Sequence, residues 1–367
     1  MPAHNEIRSL TGLRGIAALL VAIFHIHQPG GDGWLSMFFR HGYLAVDLFF
    51  VLSGFVMALT YGAMFREGFS WKPYGVFLGK RIARVYPLYL FITATMSVAV
   101  LERTAQAGHD VTFVVVTNLL MVQAWGLAPS LMPSTWSVST EWAAYLLFPW
   151  LAGRLLYGRK AHACAWAGIC AIGIAAVALA NTGGKGPLDI MRYDSAGPVV
   201  RCIAGFSLGI VAYRVRSVPA IRQWLGNRFS ATALWLAALG LMCLPGTDVV
   251  VVLLFPALVA NLSLQSSRLS SLLGSRVIYT LGVWSYSFYL IHLPFDGLQT
   301  ALAREVSPLV PWGASLLASA VCLSVALVLS ALSYAGIERP SRSLLQSLLR
   351  PRGGKDAAEQ RGKAISR

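Results

Sequence analysis

Residues 10–27 read LTGLRGIAALLVAIFHIH, an apolar run with Arg14 and His25 inside it. An ionisable side chain in an apolar segment of membrane length is expensive and usually functional. The two residues stand eleven positions apart. At about 100° per residue that separation is three turns plus about 20°, so both fall on one helix face. At about 1.5 Å per residue they lie roughly 16 Å apart along the axis, about half of a ~30 Å hydrocarbon layer. A spanning helix here puts Arg14 near one surface and His25 past the midplane on the same stripe. The purely structural reading of the pair is a snorkelling arginine and a histidine hydrogen-bonded between helices.

The rest of the chain agrees with a membrane setting. Its 367 residues are 56% hydrophobic and 12% charged, with a mean hydropathy of +0.62. A soluble domain carries about 25% charged residues. The composition therefore specifies an all-α, polytopic membrane protein. Apolar runs at 13–29, 44–62, 86–104, 136–157, 163–181, 197–214, 230–244, 249–264, 278–298 and 312–336 predict about ten transmembrane helices. The apolar stretch 112–125 is short and ends in Trp-Gly, which suits a re-entrant or interfacial segment. With both termini cytoplasmic, 24 of the 30 lysines and arginines fall inside, and Arg40, Arg103, Lys185, Arg192, Arg201 and Arg304 fall outside. That bias sets the orientation. The net charge of +15 is thus mainly a topology signal and does not point to nucleic acid. It would also draw anionic lipid headgroups and anionic cytosolic ligands.

The first apolar run lacks a small-residue cleavage site and carries two histidines, so it does not read as a cleavable signal peptide. All five cysteines lie within apolar runs, without CxxC spacing, so neither a disulfide framework nor a metal site is expected. One membrane domain is expected over 1–345, followed by a disordered basic cytoplasmic tail over 346–367. The stretch 160–275 reads as ordinary packing helices.

Polar residues inside the other runs are the candidates for chemistry. Asp47 lies a few residues inside the outer end of the second run, near the level His25 reaches from the first. An acid beside an imidazole orients it and raises its basicity, as a general base requires; an acid capping a helix start is the structural alternative. Lys80, Arg81 and Arg84 precede the third run. Clustered cations there suit phosphate groups or act as a positive-inside anchor. Trp136, Ser137 and Glu141 open the fourth run. Ser137, Glu141 and Tyr145 share a face, and the glutamate needs a partner or a water-filled cavity. Ser285, Tyr289 and His292 form a polar stripe in the ninth run, lining a cavity or satisfied within the structure. Glu338, at the end of the last run, can pair with Arg81 or Arg84. His25, Asp47 and Glu141 thus converge at one outer level, with a basic centre on the cytosolic side. A tunnel between the two would join a cytosolic anionic donor to an outward-facing acceptor. A transporter or flippase of a lipid-linked sugar is the competing class, although no inverted repeat or Gly/Pro-broken helix pair accompanies it.

With those residues in view the chain resembles the membrane-bound acyltransferase 3 family, whose members acylate extracytoplasmic glycans. Arg14 and His25 match its Arg-x10-His element, and Gly42 to Phe55 its G-x-x-x-V-D-x-F-F-x-x-S-G-F element. Lys80, Arg81, Arg84 and Pro87 match R-R-x-x-R-x-x-P, with lysine replacing the first arginine, which weakens bidentate contact at position 80. Trp136, Ser137 and Glu141 match W-S-x-x-x-E; Ser285 to His292 and Glu338 to Pro340 match the late S-Y-x-x-Y-x-x-H and E-x-P elements. The resemblance covers nearly the whole chain and is to the stand-alone type, without the C-terminal esterase-like domain of some members. It implies acetyl-CoA or another acyl-CoA as donor substrate, no permanently bound cofactor, and a glycan or lipid-linked saccharide acceptor. It implies the bacterial inner membrane. Arg14, Lys80, Arg81 and Arg84 would hold the CoA phosphates. His25 would act as base or carry the acyl group, with Asp47 and Glu141 orienting it or Glu141 itself the base. Trp136, Ser137, Ser285, Tyr289 and His292 would line the cavity.

Overall fold

Within the described residues each of the ten apolar runs lies mainly on helix, the ninth split between two, in the computed structural model, which describes residues 6–26, 33–106, 108, 110–181, 183–190, 195–265 and 267–348. In chain order the first helices are α1 Arg8–Ile26, α2 Trp34–Arg40, α3 Ala45–Tyr61, α4 Trp71–Gln106, α5 Val111–Leu119, α6 Trp136–Ala152, α7 Lys160–Ala180 and α8 Gly197–Val215. There follow α9 Pro219–Gly226, α10 Arg228–Leu241, α11 Asp248–Ser263, α12 Arg268–Leu273, α13 Arg276–Ile291, α14 Phe295–Val306, α15 Ala314–Ser333 and α16 Arg339–Leu348. A π-helical turn, Gly153–Tyr157, extends α6, and a second, Tyr334–Glu338, joins α15 to α16. The described residues form no β-strand. The fold is all-α, as expected. His27, Arg192 and the basic tail from Leu349 onward lie outside the described residues.

Among the described residues five helical segments are long and apolar enough to cross a membrane: Arg8–Ile26, Trp34–Phe65, Lys160–Ala180, Gly197–Val215 and Ala314–Leu348. The count of ten is therefore not reached on length and composition. Helices α10, α11 and α13 have 14, 16 and 16 residues. At about 1.5 Å per residue they reach only about 21–24 Å, short of a ~30 Å hydrocarbon layer.

Two glycine crossings organise the interior. A Cβ on Gly15 would stand 2.6 Å from the Gly282 backbone nitrogen, and one on Gly282 1.9 Å from the Thr11 carbonyl oxygen, so α1 and α13 touch backbone to backbone. A Cβ on Gly54 would stand 1.8 Å from the Phe206 oxygen, and one on Gly209 2.1 Å from that of Val51, which locks α3 to α8. Small residues allow such close approach where two apolar helices have little other reason to associate in lipid. Around the second crossing Phe50, Phe55, Phe65, Phe77, Phe148 and Phe206 are fully buried. These crossings set the site, because α1 and α13 carry the two histidines described below and α3 and α8 carry a buried ion pair.

The obstacle at Gly54 is backbone and cannot rotate away. Gly54→Leu is therefore expected to destabilise the protein by about 1–3 kcal/mol or more, seen as a lower thermal unfolding midpoint in detergent. Gly240→Leu, at a position with open space beside it, should leave the midpoint unchanged. Equal midpoints for the two variants would show that the α3–α8 crossing is not tight.

Candidate active site

The last turn of α1 and the C-terminal cap of α13 bring two imidazoles together. His25 Nδ1 lies 2.9 Å from the Val21 carbonyl oxygen and 3.2 Å from His292 Nε2. His292 Nδ1 lies 2.7 Å from the Tyr289 carbonyl oxygen. A carbonyl only accepts, so His292 carries its proton on Nδ1 and offers a lone pair at Nε2. Both neighbours of His25 Nδ1 are then acceptors. His25 therefore carries its proton on Nδ1 as well, and its Nε2 is left as the basic nitrogen. The tautomer follows from these contacts. The Phe24 ring stands edge-on to His25 at 4.9 Å. His292 is 1% exposed, whereas His25 retains accessible surface.

Helix α6 docks against α13 through the residues expected to line a cavity. Ser137 Oγ and the Tyr289 hydroxyl are 2.8 Å apart, and Ser134 Oγ donates to the Leu290 carbonyl at 3.3 Å. Ser285 Oγ instead donates within its own helix to the Gly282 carbonyl at 2.8 Å, so it is satisfied locally while Tyr289 and His292 face the other helices. Glu141, one turn after Ser137, stands beside the Tyr145 hydroxyl and within electrostatic reach of Arg14. Tyr145 in turn meets Ser53 Oγ at 3.3 Å.

Asp47 does not orient His25. It is 0% exposed and bound by both arms of Arg201, with Nε to Oδ1 at 2.6 Å and Nη2 to Oδ2 at 2.5 Å. The expected convergence of His25, Asp47 and Glu141 is corrected accordingly: the hydrogen bonds of His25 go to Val21 and His292, and to neither carboxylate. The physical reason is that a fully buried carboxylate requires a buried cation, and Arg201, in the second turn of α8, supplies one from across the α3–α8 crossing. The Arg201 guanidinium also lies 5.6 Å from the Trp136 ring centroid, which accounts for that tryptophan.

The basic residues form a second centre. Arg81 Nη2 donates to the Tyr61 hydroxyl at 2.7 Å, and its guanidinium lies 4.9 Å from the Tyr61 ring and 6.0 Å from that of Tyr145. Lys80 Nζ stands 5.7 Å from the Tyr61 ring. Arg14 is partly accessible although its stripe neighbours Leu10, Ala17 and Val21 are buried. It lies within electrostatic reach of Arg84, Glu141, Tyr145 and Glu338, and so bridges the basic centre and Glu141. Glu338 is 2% exposed and accepts from Ser287 Oγ at 2.9 Å. Among the described residues the ion pairs are Asp47–Arg201 and His41–Asp248, so the expected pairing of Glu338 with Arg81 or Arg84 is not made.

Sequence reasoning passed over a third group. Asp248, at the start of α11 and 0% exposed, accepts from the Tyr43 hydroxyl at 2.5 Å and the Leu188 amide at 3.0 Å. His41 Nε2 lies 3.4 Å from its other oxygen. Asp248, on α11, thereby ties the loop 183–190 to the turn His41–Leu44 that leads into α3. That loop carries Lys185 and Asp189, which together with Asp296 lie within electrostatic reach of His25; Lys185 Nζ stands 4.6 Å from the Phe24 ring. The signal was available for Arg201, which interrupts the run 197–214, whereas Asp248 stands just before the run 249–264 and gave none. The stretch 160–275 therefore does more than pack.

Together these features define a helical membrane protein with an interior histidine pair and an adjoining interior cationic centre. The chain belongs to the family its motifs resemble: that family's model, described as an acyltransferase domain, matches residues 7–330. It is accordingly a membrane acyltransferase, which decides against the transporter class. It is 31% identical over 383 residues to the acyltransferase MdmB of Streptomyces mycarofaciens, covering 94% of each chain. It is 37% identical over 164 residues to protein 2 of the picA locus of Rhizobium radiobacter, covering 41% of this chain and 80% of that protein. It is 22% identical over 383 residues to the peptidoglycan O-acetyltransferase OatA of Listeria monocytogenes, covering 93% of this chain and 56% of OatA. No solved structure shows significant similarity to the chain.

Proposed function

We propose that this acyltransferase moves an acyl group, acetyl above all, from acyl-CoA on the cytosolic side to a hydroxyl of an extracytoplasmic or lipid-linked glycan. The observation that carries the proposal is the His25–His292 pair, whose contacts leave His25 Nε2 as an accessible base. His25 Nε2 removes the proton of the acceptor hydroxyl as its oxygen attacks the thioester carbonyl. The tetrahedral intermediate collapses, the new ester forms, the C–S bond breaks, and the proton on Nε2 goes to the departing thiolate. The imidazolium formed in between is stabilised through Nδ1–H by the Val21 carbonyl and the His292 lone pair. Arg14, Lys80, Arg81 and Arg84 hold the donor's phosphates by charge-assisted hydrogen bonds, and Glu141 acts between them and His25. OatA, by its name, acts on peptidoglycan, which supports a glycan as acceptor here.

The lysine and arginine bias supports ten crossings with both termini cytoplasmic, the shorter helices crossing where the protein thins the bilayer. The bacterial relatives support the inner membrane as its location.

Purified protein in liposomes, given acetyl-CoA labelled in the acetyl group and a glycan acceptor, tests the reading: label should move to the glycan. Release of label from CoA with no dependence on any glycan would remove the acceptor half of the proposal. Glu141→Gln should keep the fold and the affinity for CoA yet lose most turnover, about 10²-fold or more, because an amide accepts no proton. Wild-type turnover in that variant would make Glu141 a structural acid, and loss of CoA binding would place it in the donor path.

A further inference from the structure

Helix α16 follows the π-helical turn Tyr334–Glu338 and packs along α4. Its Arg342 was counted in the sequence only as a topology signal. In the fold it is half-buried and lies within electrostatic reach of Arg84, Arg81, Glu338 and Tyr334. Arg84 is in turn within reach of Arg14. The cations therefore form a string from the middle of α1, through Arg84 on α4, to Arg342 on the last described helix. Lys80 shares the Tyr61 ring with Arg81, so the cluster has five cations, Arg14, Lys80, Arg81, Arg84 and Arg342; of the carboxylates, Glu141 lies within reach of Arg14, and Glu338 within reach of both Arg14 and Arg342. Lys80, Arg81, Arg84 and Arg342 enter neither ion pair found among the described residues.

Two buried polar atoms in this cluster lack a hydrogen-bond partner: Arg81 Nε, on a side chain 8% exposed, and Glu338 Oε1, on one 2% exposed. A buried donor left unmade is costly, and like charges gathered at low dielectric repel. Both costs are relieved by an anion with several phosphate oxygens. Glu338, held by Ser287, offsets part of the repulsion while the cluster is empty.

We infer that Arg342 reads the ribose 3′-phosphate of the acyl-CoA donor, as the outermost member of a cation string whose inner members hold the diphosphate. The inference rests on the reading of acyl-CoA as donor. The thioester end must lie at His25, so the diphosphate, which is nearer to it, falls among Arg14, Arg81 and Arg84. The 3′-phosphate, at the far end of the molecule, falls at the far end of the string. A phosphomonoester there carries about −1.5 to −2 charges and suits a guanidinium fork.

Equilibrium binding of CoA and of 3′-dephospho-CoA to the purified full chain in detergent tests this. Arg342→Gln and Arg342→Ala should weaken CoA by roughly tenfold or more and leave dephospho-CoA unchanged, whereas Arg81→Ala and Arg84→Ala should weaken both. Arg342→Lys should recover part of the loss, and an unchanged thermal midpoint in Arg342→Gln separates lost contact from lost fold. If Arg342 variants bind both ligands like the parent, or weaken both equally, while Arg81 and Arg84 variants lose affinity, the role of Arg342 is overturned and the donor reading stands. If CoA affinity is unmoved in every variant, or the parent binds no CoA, the donor reading fails and this inference with it.

Discussion

His25→Ala is expected to abolish acyl transfer, a fall of about 10²–10⁴-fold from loss of the general base, while the protein accumulates in membranes at its normal level. The expectation follows from the position of His25 Nε2, the one nitrogen of the histidine pair that neither backbone nor partner imidazole occupies. His292→Ala should cost less. His292 touches His25 at Nδ1, and the Val21 carbonyl still holds that proton. Transfer of labelled acetyl in membranes, normalised to protein amount, measures both. Near-parental activity in His25→Ala would remove the residue from the mechanism. Loss of the protein itself, with unchanged turnover per molecule, would make the pair a structural contact between α1 and α13. Equal loss in both variants would give His292 a share in proton transfer beyond holding the tautomer.

The second large effect lies at the buried pair. Arg201 is 2% exposed and Asp47 is 0% exposed, so removing either strands a charge in the interior. Arg201→Met is expected to destabilise the protein by about 3–5 kcal/mol, and Arg201→Lys should not rescue it, because an ammonium cannot reproduce the two-pronged contact. The double variant Asp47→Leu with Arg201→Met should regain most of the lost stability, since replacing a buried pair by apolar groups is often neutral or better. Thermal unfolding in detergent reads the energies, and acyl transfer by the double variant reads the chemistry. A folded, active double variant confines Asp47 to locking α3 against α8. A folded but inactive one returns Asp47 to the catalytic candidates.

Much of this was legible along the chain, and the reason is local. The all-α class follows from apolar runs of helical length, and the shared stripe of Arg14 and His25 follows from helical periodicity, which needs no knowledge of neighbours. The cations at Lys80, Arg81 and Arg84 stand out as a cluster just before an apolar run, and the acid at Glu141 because charge inside such a run is costly. Partnership between helices was not legible. The apolar runs place Asp47 and His25 at comparable levels on consecutive helices, yet Asp47 pairs with Arg201, 154 positions away in sequence. His25 pairs with His292, 267 positions away.

The sequence by itself determined which segments are helical and which carry charge, because propensity, periodicity and the cost of burying a charge act on each segment separately. The tertiary structure alone decided which charges meet. Glycines at 15 and 282, and at 54 and 209, let two pairs of backbones approach more closely than any side chain would allow. That choice of neighbours turned a stripe on α1 into half of a histidine pair, an acid on α3 into one end of a buried salt bridge, and an arginine on α16 into the end of a string of cations. A contact between helices depends on the shapes of both surfaces at once, and neither surface can be read from its own segment.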